Sequence, residues 1–299
     1  MKGFITDFVS NQSFIESFIS EKGYSCDHNY WHNVNMSEDG IYPVMYITDK
    51  GEGIFSLFYK GDNDYEQLSA VLASEPRRKE VIYEFAGEIF GGGAKKFFIN
   101  TSPELRGEIQ KDGLFVVSKV LRSFESPVFN LDSFDFSLPG KGWKKVRNHI
   151  NSLEKNHSID VKDCRAVDKD ALLCVVDAWS KARKSLVSKA WAPYFRNFII
   201  NSFQGCDVTR CIIVDGEPCS VSAGWKIPNS EIYYSSIGIH NYKHNGLGEL
   251  AYIDELKELK AKGYSLIDLG GSEQRFFDFK KKFDPETSYT TLFYWIKKR

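Results

Sequence analysis

Hydrophobic and polar positions follow two different periods in the first 135 residues. Apolar side chains recur at helical spacing over residues 2–21 and 79–90, and Gly91-Gly92-Gly93 ends the second predicted helix. Extended runs are predicted over residues 44–48, 53–59, 96–100, 114–117 and 127–129. This order of elements predicts a mixed domain of α-helices and β-strands.

The second half of the chain has a more regular order of elements. Helices are predicted over residues 143–153, 168–179, 194–203, 249–262 and 273–283. Strands are predicted over residues 210–214, 218–225, 231–240, 264–269 and 287–296. Asp215-Gly216 predicts a hairpin between the first two strands. The order indicates an α/β (α+β layered) domain.

A polar loop at residues 137–142 separates two halves of opposite charge. Residues 1–135 hold 13 Lys and Arg against 21 Asp and Glu, while residues 136–299 hold 26 against 19. We therefore expect an N-terminal domain of residues 1–135 and a C-terminal domain of residues 136–299, the second favouring an anionic ligand. Surface charge that varies without function is the alternative.

Composition narrows the class of protein. Of the 299 residues, 42% are hydrophobic and 26% are charged, which is typical of a globular chain with a substantial core. No apolar run approaches the ~20 residues of a membrane span. The first residues, Met-Lys-Gly-Phe-Ile-Thr-Asp, lack the pattern of a secretory signal, so a cytoplasmic location is expected.

The six cysteines are too few for a disulfide scaffold and are expected to be free thiols. Cys26, His28 and His32 could form one corner of a metal site, but no second pair stands at a ligand spacing, so no metal is predicted. Gly-x-Ser-x-Gly, a P-loop and His-Glu-x-x-His do not occur, which leaves a serine hydrolase, a nucleotide triphosphatase and a zinc protease without support.

A glycine-bearing loop joins the predicted strand 231–240 to the helix that follows. It reads Lys243-His244-Asn245-Gly246-Leu247-Gly248. Backbone N–H groups at Asn245, Gly246 and Gly248 would bind a phosphate at the helix N-terminus, with Lys243 adding a positive charge. An ordinary glycine-rich turn is the alternative.

The loop resembles that of the GNAT acyltransferases, whose pattern is Arg or Gln-x-x-Gly-x-Gly or Ala. In that family the loop holds the pyrophosphate of coenzyme A. Here Lys243 stands at the Arg or Gln position, which keeps the charge and loses the planar guanidinium fork.

Further landmarks resemble one subgroup, the tandem-GNAT proteins similar to the C-terminal domain of phosphatidylglycerol lysyltransferase and to the Fem-type aminoacyltransferases. They lie within residues 138–151, 268–273 and 279–285. The resemblance implies two GNAT-like domains, each a mixed, mostly antiparallel sheet flanked by helices. The first would be a degenerate copy on the acceptor side, and the second would bind the donor and carry catalysis.

Four side chains are candidates for catalysis. Asp268, in an otherwise apolar strand, would be a general base or half of a structural ion pair. Glu273 would be a base or a helix cap, and Tyr234 would be an acid. Lys280 is singled out by the resemblance, in which a Lys after Phe binds the donor or stabilises the oxyanion; a solvated basic face is the alternative.

Two further groups are candidates for binding. The donor carbonyl would lie along strand 231–239, which we expect to splay at Gly238, with backbone N–H groups near Ile237 and Ile239 stabilising the oxyanion. A basic helix start supplies further candidates for contact with an anionic substrate, or for a plain solvent-exposed face: Lys144, Arg147 and Asn148.

The sequence favours an acyltransferase that moves an acyl group from acyl-CoA to an amine by direct attack. The amine would belong to a small molecule or a peptide. An aminoacyl-tRNA donor is the alternative, favoured by the tandem landmarks and by the positive charge of residues 136–299. A non-catalytic GNAT-fold binding module is the third possibility. The sequence leaves the oligomeric state open.

Overall fold

The computed structural model describes residues 2–183, 186–271, 280–281 and 287–299, with the side chains of residues 186–190 left out. The chain forms two compact units. Unit 1 comprises Met1–Val128, Ile227–Ser230 and Gly270–Arg299. Unit 2 comprises Phe129–Lys226 and Glu231–Leu269.

The helices and strands are numbered along the chain. The helices are α1 (Gln12–Lys22), α2 (Tyr30–Asn35), α3 (Arg78–Gly91), α4 (Pro103–Asp112), α5 (Lys144–Asn156), α6 (Lys169–Arg183), α7 (Leu186–Ile200) and α8 (Leu247–Ala261). The strands are β1 (Gly3–Ile5), β2 (Ile41–Ile47), β3 (Gly53–Tyr59), β4 (Asp64–Gln67), β5 (Phe97–Thr101), β6 (Phe115–Val117), β7 (Arg122–Asn130), β8 (Ile159–Lys162), β9 (Val208–Val214), β10 (Glu217–Pro218), β11 (Ser220–Lys226), β12 (Ile232–His240), β13 (Leu266–Asp268) and β14 (Thr287–Lys298).

Unit 1 is a mostly antiparallel sheet with helices on both faces. Its strand order is β1-β2-β3-β4-β5-β14-β7, with β6 also beside β14, and β4 and β5 run parallel. Alternate residues of β3 pack in two different hydrophobic clusters, since side chains along a strand point to opposite faces. Ile54 packs in the cluster that contains α3, and Phe55 packs in the cluster that contains α1.

The position of β14 differs from the domain division that the sequence predicts. Gly270–Arg299 was expected in the C-terminal domain, but it belongs to unit 1. The physical reason is backbone pairing: β14 runs antiparallel to β5 over Leu292–Ile296 and antiparallel to β7 over Thr287–Phe293. Strand partners so distant in sequence leave no local signal in the residue pattern.

Unit 2 is a smaller sheet in the order β13-β12-β11-β9-β10, with β8 also beside β9. Among the described strands of this unit, β12 and β13 run parallel. The predicted hairpin is present: Asp215 and Gly216 have φ angles of 51° and 85°, the left-handed values that a two-residue hairpin turn requires.

The predicted fold class, α/β (α+β layered) with mostly antiparallel sheets flanked by helices, is confirmed. Several element predictions differ from the structure. Residues 2–21 divide into β1 and α1, because Gly3–Ile5 pairs with β2. Helix α4 was missed, although Ser102 caps it and Pro103 occupies its first turn. The predicted helix 273–283 lies outside the described residues apart from 280 and 281.

His28, one of the three residues considered as metal ligands, has a structural role instead. His28 is buried and uses both ring nitrogens: Nε2 donates to the Ala70 carbonyl at 2.6 Å, and Nδ1 accepts from the backbone N–H groups of Tyr24 and Ser25. Among the described residues, no group of three or more His, Cys, Asp and Glu could hold a metal ion. In the same part of the chain, no helix is both long and apolar enough to span a membrane.

His28 makes stability depend on pH. Burial lowers the pKa of His28 to about 4, whereas the unfolded chain titrates near 6.5. The unfolded state therefore takes up a proton first, and about 3 kcal/mol of stability is lost as the pH falls from about 6.5 to about 4.

Urea unfolding at pH 7 and pH 4 measures the total loss in the wild type, to which His32 and His240 also contribute because burial lowers their pKa values as well. His28→Gln should be less stable at pH 7 but should lose less between the two values. Equal losses in both proteins would contradict the assignment.

Gly224 of β11 faces a steric limit that Gly238 of the adjacent strand β12 does not share. A Cβ at residue 224 would overlap the Tyr234 carbonyl oxygen and lie 2.8 Å from the Tyr233 hydroxyl. We expect Gly224→Ala to lower the free energy of unfolding by about 3 kcal/mol. Gly238→Ala is the matched control on β12, because a Cβ there meets nothing within 4 Å. Thermal unfolding compares the two, and equal stabilities would refute the prediction.

Candidate functional site

The centre of unit 2 is an irregularity in β12. The register changes from Ala223↔Ile237 to Gly224↔Ser235, so β12 carries one extra residue, a β-bulge at Ser235–Ser236. On its other side β12 pairs with β13 only over three residues, ending at Tyr234↔Asp268. Within the described residues, β12 therefore loses its parallel partner where it bulges.

Two helices hold the bulge from opposite faces. The Ser235 hydroxyl donates to the Glu255 carboxylate of α8 at 2.9 Å. The Ser236 hydroxyl lies 3.0 Å from the Tyr194 hydroxyl of α7. Glu255 and Tyr194 are both buried, so these contacts fix the local backbone. The sequence predicts the irregularity at Gly238, whereas in the structure it begins earlier, at Ser235–Ser236.

Ile237 and Ile239 follow the bulge in regular pairing. They stand opposite Ala223 and Val221 of β11. Both side chains are buried, whereas Gly238 between them is exposed. Their backbone N–H groups as oxyanion donors stay a prediction.

Tyr233 and Tyr234 point to opposite faces, as a strand requires. Tyr233 is fully buried, donates to the Val208 carbonyl at 3.4 Å, and has a pKa raised well above its usual value by burial. Tyr234 is half-buried beside Trp225 and stands next to Asp268 on the parallel strand. Asp268 is itself only 2% exposed. The structure thus brings two of the four catalytic candidates together.

The two glycines of the loop have packing explanations. Gly246 has φ 90° and precedes α8, and a Cβ there would lie 2.7 Å from the His149 carbonyl oxygen of α5. A Cβ at Gly248 would lie 2.9 Å from the His240 ring. Gly246 therefore requires glycine, and a side chain at residue 248 would displace the His240 ring, because α8 starts in close contact with α5 and β12, whether or not an anion binds there.

Lys243 and its neighbours form a charged cluster on the surface. Lys243 Nζ lies 2.6 Å from Glu217 Oε2, which raises the pKa of Lys243 and lowers that of Glu217. His157 Nδ1 lies 2.7 Å from Asp215 Oδ2, and its hydrogen bond lowers the pKa of Asp215. The rings of His157 and His244 are 4.6 Å apart.

This cluster lines an open cleft between the end of α5 and the loop before α8. Its lining consists of Ser152, Leu153, Asn156, His157, Lys243, His244 and Asn245. Asn245, a predicted anion contact, is exposed there. The sequence missed His157, although its position at the end of the basic helix was a signal.

The remaining predicted site residues differ in exposure and in the contacts that they make. Lys144 and Asn148 are exposed one turn apart on α5, whereas Arg147 donates to the Gly140 carbonyl at 3.0 Å and to that of Leu138. Arg147 therefore anchors the loop before α5. Lys280 Nζ donates to the Gly270 carbonyl at 2.8 Å. Glu273 lies outside the described residues.

The chain is similar to several known proteins. Residues 51–289 match the family described as phosphatidylglycerol lysyltransferase, C-terminal. L-PGS from Bacillus licheniformis has 16% identity and a TM-score of 0.64, with 96% of this chain and 91% of that chain covered. FemX has 11% identity and a TM-score of 0.60, with 97% and 96% covered.

A tandem GNAT protein from the clavulanic acid biosynthesis pathway has 10% identity and a TM-score of 0.60, with 100% of this chain and 98% of that chain covered. At these identities the solved structures establish the fold alone. No curated protein is significantly similar to the chain in sequence. The family match spans more than half of the chain, and the predicted resemblance to tandem-GNAT, lysyltransferase and Fem-type proteins is confirmed. The chain therefore belongs to the family of the phosphatidylglycerol lysyltransferase C-terminal domain, and it is a transferase of the acyl or aminoacyl type.

Proposed function

We propose that this chain transfers an aminoacyl group from aminoacyl-tRNA to an acceptor by direct nucleophilic attack. The observation that carries the proposal is the family match over residues 51–289, because the family is named for lysyl transfer. Unit 2 supports it with a strand that bulges where its parallel partner ends. Such a bulge leaves backbone groups at one point for a reacting carbonyl.

The donor differs from the one that the sequence favours. Acyl-CoA was favoured by the glycine loop, but Gly246 and Gly248 are explained by packing against α5 and β12. Their presence therefore no longer distinguishes a coenzyme A loop from an ordinary close contact. Residues 136–299 hold 26 Lys and Arg against 19 Asp and Glu, and this positive balance favours a polyanion such as tRNA. Part of the balance, seven Lys and Arg against four Asp and Glu, lies in the Gly270–Arg299 segment of unit 1.

In the proposed reaction the acceptor attacks the ester carbonyl of the aminoacyl-tRNA. A bond forms between the acceptor atom and the carbonyl carbon, the carbon–oxygen ester bond breaks, and tRNA leaves with a free ribose hydroxyl. Asp268 would take the proton from an attacking amine, and Tyr234 would donate a proton to the leaving oxygen. Lys280 would position the turn at Gly270, whose carbonyl its Nζ contacts.

Binding of tRNA tests the donor. We expect the affinity for tRNA, measured by fluorescence anisotropy, to fall by about two orders of magnitude or more between 50 and 200 mM salt, because several phosphates are engaged. The double variant Lys144→Gln, Lys243→Gln removes two exposed cations of unit 2. It should bind about tenfold more weakly and show a shallower salt dependence.

Lys50→Gln, Lys60→Gln is the matched control, since both lysines are exposed in unit 1. It should bind tRNA like the wild type. Absence of tRNA binding, together with thermal stabilisation by acetyl-CoA, would overturn the proposed donor and restore acyl-CoA.

Asp268→Asn tests the base. With lysyl-tRNA as donor and hydroxylamine as a surrogate acceptor, we expect the rate of hydroxamate formation to fall about 10²- to 10⁴-fold. The affinity for tRNA should not change, because Asp268 is buried away from the surface that would bind phosphates. Asp170→Asn, an exposed substitution on α6, should leave the rate unchanged.

Because Asp268 is buried, its variant is also examined by thermal unfolding. A folded Asp268→Asn protein with undiminished rate and an unchanged pH–rate profile would exclude Asp268 as the base.

A further inference from the structure

One face of the unit 1 sheet carries two carboxylates beside aromatic rings. Side chains along β4 alternate between the two faces, and Tyr65 packs against Phe85 of α3, so Asp64 and Glu66 point to the other face. Leu57 of β3, which stands opposite Glu66, packs in the cluster that contains α1. Neither carboxylate takes part in the proposed transfer of an aminoacyl group.

Asp64 is paired with an ammonium group of the protein itself. Lys96 Nζ lies 3.3 Å from Asp64 Oδ2 and 4.2 Å from the centroid of the Trp295 ring. The carboxylate attracts the cation by its charge, and the ring attracts it by its negative face. The pair shows that a carboxylate and an aromatic side chain on this face can bind an ammonium group together.

Glu66 has similar surroundings without a bonded cation. Its neighbour on β5 is Phe98, whose ring centroid lies 4.7 Å from that of Trp295. The Tyr59 hydroxyl donates to Glu66 Oε2 at 2.5 Å. Among the residues that the structure describes, the Glu66 carboxylate has no other hydrogen bond and no ion pair. Its Oε1 atom is therefore available to a ligand.

Burial makes a carboxylate without a cation unfavourable at this position. Glu66 is half-buried, and burial raises its pKa, an effect that the Tyr59 hydrogen bond and the charge of Arg122 oppose. On the same face, Asp64 Oδ1 is buried and accepts no hydrogen bond from the described part of the chain. A positively charged group with N–H donors is the chemistry that such oxygens bind.

We propose that Glu66, Tyr59 and Phe98 form a binding site for the ammonium group of a small organic amine. These three residues are the ammonium site. The ligand donates a hydrogen bond to Glu66 Oε1, while Tyr59 holds the other carboxylate oxygen in place. Its alkyl chain packs on the half-buried rings of Phe98 and Phe293, whose centroids are 6.0 Å apart.

Three other ligand classes fit the ammonium site less well. An anion would be repelled by Glu66. A quaternary ammonium ion matches the charge but has no N–H group to donate to Oε1. A metal ion needs several ligands, and no group of three or more His, Cys, Asp and Glu in the described part of the chain could hold one.

The ammonium group belongs either to a plain amine or to an amino acid. An amino acid also carries a carboxylate, which a nearby cation would bind. Arg122 is such a cation, because it is exposed, stands opposite Phe293 in the sheet, and acts on Glu66 through its charge. The experiment therefore uses one probe of each kind.

Titration with n-butylamine tests the ammonium site on the purified chain at pH 7, where the amine is protonated. Binding is followed by saturation-transfer difference NMR. We expect saturable binding with a dissociation constant of about 1 mM. n-Butanol, which has the same chain and no charge, should bind about tenfold more weakly or less.

Glu66→Gln tests the carboxylate. It should weaken the binding of n-butylamine about tenfold or more, because it removes the negative charge. The glutamine carbonyl can still accept the Tyr59 hydrogen bond, so the variant should stay folded, which thermal unfolding verifies. Glu104→Gln is the matched control, since Glu104 is exposed on α4, and it should bind like the wild type.

L-Norvaline distinguishes the two sources, because it is n-butylamine with a carboxylate on the carbon that bears the amine. Tighter binding of norvaline than of butylamine, lost in Arg122→Gln, would assign the ammonium site to an amino acid. Equal or weaker binding of norvaline would assign it to a plain amine. Either result supports an ammonium ligand.

Three results would overturn the proposal. They are absence of butylamine binding up to about 50 mM, equal affinities for butylamine and butanol, and full binding of butylamine by the folded Glu66→Gln variant. The titration contains neither tRNA nor an acyl donor. Its failure would therefore leave the proposed aminoacyl transfer untouched, and failure of that transfer would leave the ammonium site intact.

Discussion

The backbone arrangement at the centre of unit 2 depends on the absence of a side chain at Gly224. With no side chain at residue 224, the Tyr234 carbonyl can approach the β11 backbone, and β12 can carry its extra residue. The bulge then sends Ser235 to Glu255 and Ser236 to Tyr194, so α8 and α7 are fixed to one short stretch of strand. A single steric constraint thus sets the backbone at the centre of the candidate site.

Close packing that only glycine permits also determines the start of α8. Gly246 and Gly248 let the first turn of this helix approach α5 and β12 more closely than a side chain would permit. This approach places the loop that carries Lys243 and His244 beside His157, at the end of α5. Close packing of α5 and α8 therefore creates the charged cleft. The glycines contribute by allowing that packing rather than by lining the cleft.

Charge is distributed differently in the two units. In unit 2, the cleft cation Lys243 is matched by Glu217, and the His157 ring is hydrogen-bonded to Asp215. In unit 1, Asp112 lies 2.9 Å from Lys79 Nζ, while Lys119 and Arg122 are exposed. Paired surface charges contribute little to stability, so their main effect is on which anionic partners each unit attracts.

The sequence by itself determined the fold class, most helices and strands, the Asp215-Gly216 hairpin and the family, because these depend on residue spacing and short motifs. It also selected Tyr234 and Asp268, since a carboxylate and a phenol in apolar strands stand out locally.

Only the tertiary structure decided that Tyr234 and Asp268 are neighbours, and that β14 belongs to unit 1. It also decided that Gly246 is required by His149 and that His157 faces His244. Each of these facts joins segments distant in sequence. The pattern along one segment records which face it buries, but not the backbone or side chain that it meets there.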